Sequence, residues 1–410
     1  MSAARPEPGP APRAAAGSWL IRVVALVVVA LLIAGIVFAV TRRNGKPQSG
    51  AGVTPARRTG PGPNIVLINT DDQRWDELAN MPNIQSLLVR HGITFSNYFV
   101  TTPSCCPSRS SLLTGQYSHH TGVYDGGSGP HSGAPAFHDA STLATWLHAA
   151  GYRTALVGKY LNNYSELPKG YIPPGWDEWD AIAQPVHEDL YYGYTLNENG
   201  KLVHYGKTKS DYSTTVLSGL AQRFIDTSTQ PFFLYFTPVT PHVPSTPAPG
   251  DGNKFANLPP WDPPSFNQPD VSAEPWGRDV RLMSPHKVRL VQSIRRRMLA
   301  SLLAVDRSVG AFVHSLQERG MLNDTYIFYT SDNGYLWGEH RQAGKIWPFD
   351  ESIRDPLVVR PPGGVAPTTD AHLVLNIDLA STIAQLAGTR PGLPQDGRSL
   401  VPLLRGRSPP

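Results

Sequence analysis

Four short apolar runs organise the chain: NIVLINT (Asn64 to Thr70), YRTALVG (Tyr152 to Gly158), FFLYFT (Phe232 to Thr237) and TYIFYTS (Thr325 to Ser331). Each has the length of a strand, and helical pattern separates it from the next. The longest helical pattern, VRLVQSIRRRMLASLLAVDRSVGAFVHSLQERG, spaces its apolar residues by three and four and stops at Gly320. Strands alternating with helices predict an α/β fold, with a mostly parallel central sheet and helices on both faces. In such sheets ligands sit beyond the carboxyl ends of the strands. The residues following the four runs are Asp71 and Asp72, then Lys159, then His242, then Asp332 and Asn333. Parallel strands would bring all of them to one edge.

A fifth apolar run is of a different kind. Val23 to Val40 (VVALVVVALLIAGIVFAV) carries no charge over about the length that crosses a bilayer, and Arg22, Arg42 and Arg43 bracket it. No small-x-small cleavage site follows, so it reads as a retained transmembrane anchor rather than a signal sequence. Arg42, Arg43, Lys46, Arg57 and Arg58 follow the span, and by the positive-inside rule they lean against placing the following domain outside. Residues 1–22 form an N-terminal tail. Residues 41–63 are a Gly, Pro and basic linker with almost nothing apolar to bury. The folded domain then covers 64–404, with a Pro-rich excursion from Pro241 to Pro275 predicted as a surface loop, and no internal repeat is visible.

Composition changes this picture little. The 410 residues are 40% hydrophobic and 17% charged, as in a globular protein able to bury one large core or two unequal ones. The net charge of +4 is owed largely to the terminal arms, which argues for a solvated surface and no nucleic-acid partner.

Taken singly, the residues after the strands have ordinary explanations. Paired aspartates cap or turn, Asp-Asn-Gly is a common turn, and His242 and Lys159 suit a solvated loop. Their convergence is what matters. Two clusters of hard oxygen ligands at the ends of like strands suit Ca²⁺ or Mg²⁺, and no thiolate or His-rich set suggests zinc.

The chain's two cysteines are adjacent, in TTPSCCPSRSSLLTG (Thr101 to Gly115). Pro107 suits the first turn of a helix, SRSSLL continues it and Gly115 ends it. Cys105 then lies at a helix amino terminus, where backbone amides favour anions. A strained vicinal disulfide and a pair of inert core thiols are alternative readings. A cysteine phosphatase needs its arginine six residues beyond the nucleophile, where Ser111 and Leu112 stand. A nucleotide-binding loop fails as well, since Gly151 to Gly158 has the wrong spacing and Tyr160 follows Lys159.

The stretch does match C-x-P-S-R-x-x-x-x-T-G, as Cys105, Pro107, Ser108, Arg109, Thr114 and Gly115. It thereby resembles type I sulfatases of the alkaline-phosphatase superfamily. GKYLNNY (Gly158 to Tyr164), YIPPGW (Tyr171 to Trp176), TSDNGY (Thr330 to Tyr335) and VLNIDLASTIAQLAG (Val374 to Gly388) are similar to N-acetylglucosamine-6-sulfatases and heparan 6-O-endosulfatases. The resemblance implies that Cys105, not Cys106, is oxidised to formylglycine by a formylglycine-generating enzyme. It implies that Asp71, Asp72, Asp332 and Asn333, with the modified Cys105, hold calcium or magnesium. Arg109 would steady the aldehyde hydrate. Lys159, His242 and Lys345 would bind sulfate oxygens, with His242 or Lys345 protonating the leaving alcohol.

The implied substrate is a sulfated carbohydrate of the glucosamine-6-sulfate type, and the implied catalytic domain is extracytoplasmic, held to the membrane by the N-terminal helix. Trp176 and Trp179 lie in the matched region, where each ring could stack on a sugar or fill the core. Many sulfatases have a histidine where Leu161 stands; the glucosamine-6-sulfatase subgroup shares GKYLN. Relatives continue beyond the equivalent of Leu404 into a smaller antiparallel subdomain, which is missing or minimal here. Two other readings stay open: a phosphonate monoester or phosphodiester hydrolase with the same nucleophile, and a non-catalytic membrane-bound anion or glycan binder.

Overall fold

The computed structural model describes residues 62–185, 188–229, 231–274 and 280–407. The predicted anchor, Val23 to Val40, lies outside the described residues. The strands in chain order are β1 (Asn64–Thr70), β2 (Ile93–Phe99), β3 (Arg153–Gly158), β4 (Glu178–Ile182), β5 (Thr195–Glu198), β6 (Lys201–His204), β7 (Phe232–Thr237), β8 (Thr325–Ser331), β9 (Leu336–Trp337), β10 (Ala343–Gly344), β11 (Leu357–Arg360) and β12 (Thr368–Leu375). All but β9 and β10 form one ten-stranded sheet in the order β12-β2-β11-β8-β1-β7-β3-β4-β5-β6.

The four apolar runs are β1, β3, β7 and β8, and they stand side by side at the centre as β8-β1-β7-β3, all parallel. Their near-continuous apolar character follows from burial on both faces. The period of two decides which face: Ile65 and Leu67 join one core cluster, Val66 and Ile68 the other. The helices that matter for the site are α1 (Cys105–Thr114), α2 (Leu143–Ala149), α3 (Ser213–Thr227), α4 (Pro285–Glu318) and α5 (Asp378–Leu386). Leu112 and Leu113 of α1, Trp146 and Leu147 of α2 and Ile383 of α5 cover the first face. Leu217 and Phe224 of α3, with Leu302, Val309 and Phe312 of α4, cover the second.

The long helix starts where its sequence dictates. Ser284 caps it by accepting from Lys287 N, and Pro285 occupies the first turn, where its missing N–H costs nothing. Among the described residues α4 is the one helix long and apolar enough to cross a membrane, and it lies mid-chain, mostly buried. Its apolar face is spent on the core through Leu302, Val305, Phe312 and Leu316. This corrects the expectation of a domain tethered by an N-terminal helix: the candidate span is a core helix of the folded unit.

One further expectation needs correction. The Pro-rich excursion is not merely a surface loop, because Trp261 and Phe266 pack with Met283, Val291, Met298, Tyr335 and Trp337 into a third small core. Trp179 is fully buried on β4, its indole N–H donating to the Tyr164 hydroxyl at 2.8 Å, and Trp176 stacks on Phe233. Of the two readings left open for these rings, core filling holds for Trp179, while Trp176 is half-buried and packed against the same core. Apart from the large sheet, the described residues hold the antiparallel β9-β10 pair, and no strand follows β12 among them.

Candidate active site

The carboxyl ends of β1, β3, β7 and β8 do converge. Asp71 N–H donates to Thr240 O at 3.1 Å, and Asp332 N–H to Thr70 O at 3.1 Å, so the two acidic segments continue the sheet edge side by side. Asp72 then turns sharply, with φ of 73°, a left-handed conformation that Asp tolerates better than most residues. Gly158 closes β3 with φ of 128°; a Cβ there would stand 2.0 Å from Thr237 O, so only glycine lets the strands approach and Lys159 enter the edge. α1 faces this edge with its amino terminus. Ser104 precedes its first residue, Cys105, and Gly115 ends it in the left-handed conformation, its N–H donating to Ser111 O.

At the centre, Arg109 is completely buried and saturated. Its Nε donates to Asp332 Oδ2 at 2.6 Å, Nη1 to Lys159 O at 2.8 Å and to the Thr237 hydroxyl, and Nη2 to Asp71 Oδ2 at 3.3 Å. Lys159 Nζ lies 2.5 Å from Asp71 Oδ2. Cys105 Sγ is 3.3 Å from Asp71 Oδ1 and 2.7 Å from Lys345 Nζ, and that ammonium also meets Asp72 Oδ1 at 2.5 Å. Asn333 Nδ2 donates to Asp72 Oδ1 at 2.7 Å. His242 Nδ1 faces the Val243 carbonyl at 2.7 Å and must donate to it, so Nε2 is the nitrogen turned to the site, 3.8 Å from Asp72 Oδ2. All nine residues singled out from the sequence therefore meet in one place.

The electrostatics follow from burial and pairing. Burial alone would raise the Asp71 carboxyl, but Lys159, His242, Arg109 and Lys345 together hold it well below the usual carboxylate range. Burial and Asp71 push Asp332 up, against Arg109, Lys159 and Lys345. Lys345 and Lys159 stay cationic: burial opposes their charge, and the acids around them more than offset it. Burial, then Asp71, raises the Cys105 thiol far above its ordinary value, and burial lifts Cys106 to about 11. Both cysteines are therefore neutral thiols near neutral pH, not disulfide-bonded.

The site also fits a divalent cation. Asp71, Asp72, Cys105 and Asp332 each offer a ligand atom, all within 4.8 Å of one another, and Asp71, Cys105 and His242 form an overlapping set. Asp72 Oδ2 and Asn333 Oδ1 are buried without a hydrogen-bond partner. Unpartnered buried oxygens beside this ligand set are the donors a hard cation would use.

The protein family described as Sulfatase matches residues 63–389, which contain every one of these side chains. The chain belongs to the sulfatase family. It is 36% identical over 365 residues to human N-acetylglucosamine-6-sulfatase, covering 84% of this chain and 65% of that protein. It is 37% identical over 359 residues to the extracellular sulfatase SULF-1 homolog of Drosophila melanogaster, covering 84% of this chain and 32% of that one. The sulfatase-family chain thus spans less than two thirds of either relative. A solved structure of a protein bound to its substrate D-glucosamine-2-N,6-O-disulfate superposes with a TM-score of 0.70 at 25% identity, covering 85% of this chain and 81% of that one. The phosphonate monoester hydrolase of Agrobacterium radiobacter shares the fold, with a TM-score of 0.65 at 23% identity over 85% and 78% of the two chains.

Sequence reasoning missed several residues of this site. Thr237, the last residue of FFLYFT, accepts from Arg109; its position at a strand end was the available signal. Cys106 Sγ accepts from Asn162 N at 3.0 Å, tying α1 to the loop after Lys159. Asp355, just ahead of β11, is also buried here, and no motif marked it.

Proposed function

We propose that residues 64–404 form a catalytic domain that hydrolyses sulfate monoesters, with Cys105 converted to formylglycine as the nucleophile. The observation that carries this reading is the setting of Cys105: first residue of α1, its Sγ 2.7 Å from Lys345 Nζ and 3.3 Å from Asp71 Oδ1, in the register of the sulfatase motif. The conversion is a two-electron oxidation at Cβ by a formylglycine-generating enzyme: the C–S bond breaks and the sulfur leaves as hydrogen sulfide, dioxygen is the oxidant, and an external thiol supplies the other two electrons that take it to water. Once hydrated, the aldehyde supplies one hydroxyl to displace the alcohol at sulfur and a second to expel sulfate afterwards.

Asp71, Asp72, Asp332 and Asn333 would hold calcium or magnesium, which supplies fixed positive charge against sulfate oxygens. Arg109, locked by four partners, orients the nucleophile's side chain and offsets Asp71 and Asp332. Lys159 and Lys345 remain cationic and neutralise the charge developing on the sulfate oxygens, already in place before reaction. His242 presents Nε2 towards the site and, as the doubly protonated ring with Nδ1–H still on the Val243 carbonyl, would give the leaving alcohol its Nε2 proton.

For substrate we propose sulfated carbohydrate carrying glucosamine-6-sulfate units, supported by the likeness to human N-acetylglucosamine-6-sulfatase and to the structure holding D-glucosamine-2-N,6-O-disulfate. Turnover of an aryl sulfate is compared with that of an aryl phosphodiester, and sulfate release from glucosamine-6-sulfate is then measured. Preference for the phosphodiester would replace the sulfatase activity with the phosphodiesterase one. Inert sugar with good aryl sulfate turnover would remove only the carbohydrate assignment.

A further inference from the structure

One buried acid near the site has no role in the account so far. Asp355 is 1% exposed, and neither of its carboxyl oxygens has a hydrogen-bond partner. Its place in the fold is fixed by register. β11 runs antiparallel to β8 with Leu357 opposite Thr330, so two further residues along the pairing bring Asp355 level with Asp332. Its backbone N–H donates to Tyr98 O at 3.2 Å, which anchors that position to β2.

An unpaired acid in this setting is costly. Burial and the nearby Asp332 and Asp72 carboxylates all disfavour its charge, and no cation is among the groups acting on it. Arg109, Lys159 and Lys345 are already committed to Asp71, Asp72 and Asp332. Asp355 also stands outside the group of ligand atoms lying within 4.8 Å of one another. The positive charge that would face Asp355, Asp332 and Asp72 together is a divalent cation.

The geometry points to Asp355 as a residue that sets the affinity of the cation site, acting from beside Asp332 without coordinating. This rests on the reading of Asp71, Asp72, Asp332 and Asn333 as that site. The acid is a liability in the metal-free chain and a source of affinity in the loaded one. Removing it should move those two properties in opposite directions, which a merely space-filling residue would not do.

The test uses the full chain stripped by chelation, titrated calorimetrically with calcium, as wild type, Asp355→Asn and Asp355→Val. Both variants should bind calcium about tenfold or more weakly, the range found when outer partners of metal ligands are lost. Their metal-free thermal midpoints should equal or exceed that of the wild type. Unchanged calcium affinity in both variants would overturn the inference while leaving the cation site intact. Metal-free variants that fail to fold would overturn it too, by making the acid structural. A wild-type chain that takes up neither calcium nor magnesium would remove the cation site and this inference together.

Discussion

Lys345 Nζ lies 2.7 Å from Cys105 Sγ, a contact spanning 240 residues of sequence. It places a cation beside the side chain proposed to carry the nucleophile, and β9 and β10 deliver it there, since Lys345 directly follows Gly344. A cation fixed before the reaction costs no reorganisation during it. Lys345→Ala should lower kcat/KM for an aryl sulfate by about 10²- to 10³-fold, as for loss of one preorganised stabilising group. A change of a few-fold would remove Lys345 from the chemistry.

The two cysteines should separate cleanly. Cys105→Ala should abolish hydrolysis. Cys106→Ala should keep substantial activity while losing stability, because the part-buried Asn162 N–H loses its sulfur acceptor, at a cost of about 1 kcal/mol. Denaturant melts alongside steady-state rates check both halves. Equal loss of activity from both substitutions would point to a paired-thiol role.

Chelation should inactivate the enzyme, with calcium or magnesium restoring it. Asp332→Ala should resemble the chelated form and in addition strand the buried Arg109 guanidinium, whose Nε sits 2.6 Å from Asp332 Oδ2. Breaking a buried pair from one side costs about 3–5 kcal/mol, so this variant should also melt early. Full activity after exhaustive chelation would contradict the metal site.

Away from the site, Glu77 supplies a pH signature. It is fully buried, Oε2 accepts from Arg74 N, Oε1 has no partner, and burial, then Asp76, lifts its pKa from 4.5 to about 8. A raised folded pKa means that the native chain holds a proton the unfolded chain has released. The associated stability is complete below pH 4.5 and is lost as pH rises through about 8. Relative to Glu77→Gln, the wild type should lose stability across that window at up to about 1.4 kcal/mol per pH unit. Parallel melting curves for the two proteins would show that Glu77 is ionised throughout.

The central strands and α1 were legible because each is encoded locally. β1, β7 and β8 keep the bounds of their apolar runs, and Pro107 and Gly115 mark α1 as helix grammar requires. The sheet margins were not. β2 reads ITFSNYF, half polar because it is half exposed, and β11 is only LVVR. The β5-β6 hairpin did carry a usable signal, Asn199-Gly200, both at positive φ between the paired strands. Site residues that follow strands could be inferred from topology. Thr237 offered only its place at a strand end and Asp355 nothing, since their importance arises from what lies beside them, Arg109 reaching one and Asp332 standing level with the other.

The claim on which the rest depends is that Cys105 becomes an aldehyde. The direct test is an intact-mass measurement of the peptide holding Cys105 and Cys106, from full chain co-expressed with a formylglycine-generating enzyme. The peptide should be lighter than its sequence mass by the exchange of one sulfur and two hydrogens for an oxygen, with fragmentation assigning the change to Cys105. A peptide with both thiols intact, in protein that nonetheless hydrolyses sulfate esters, would contradict the account.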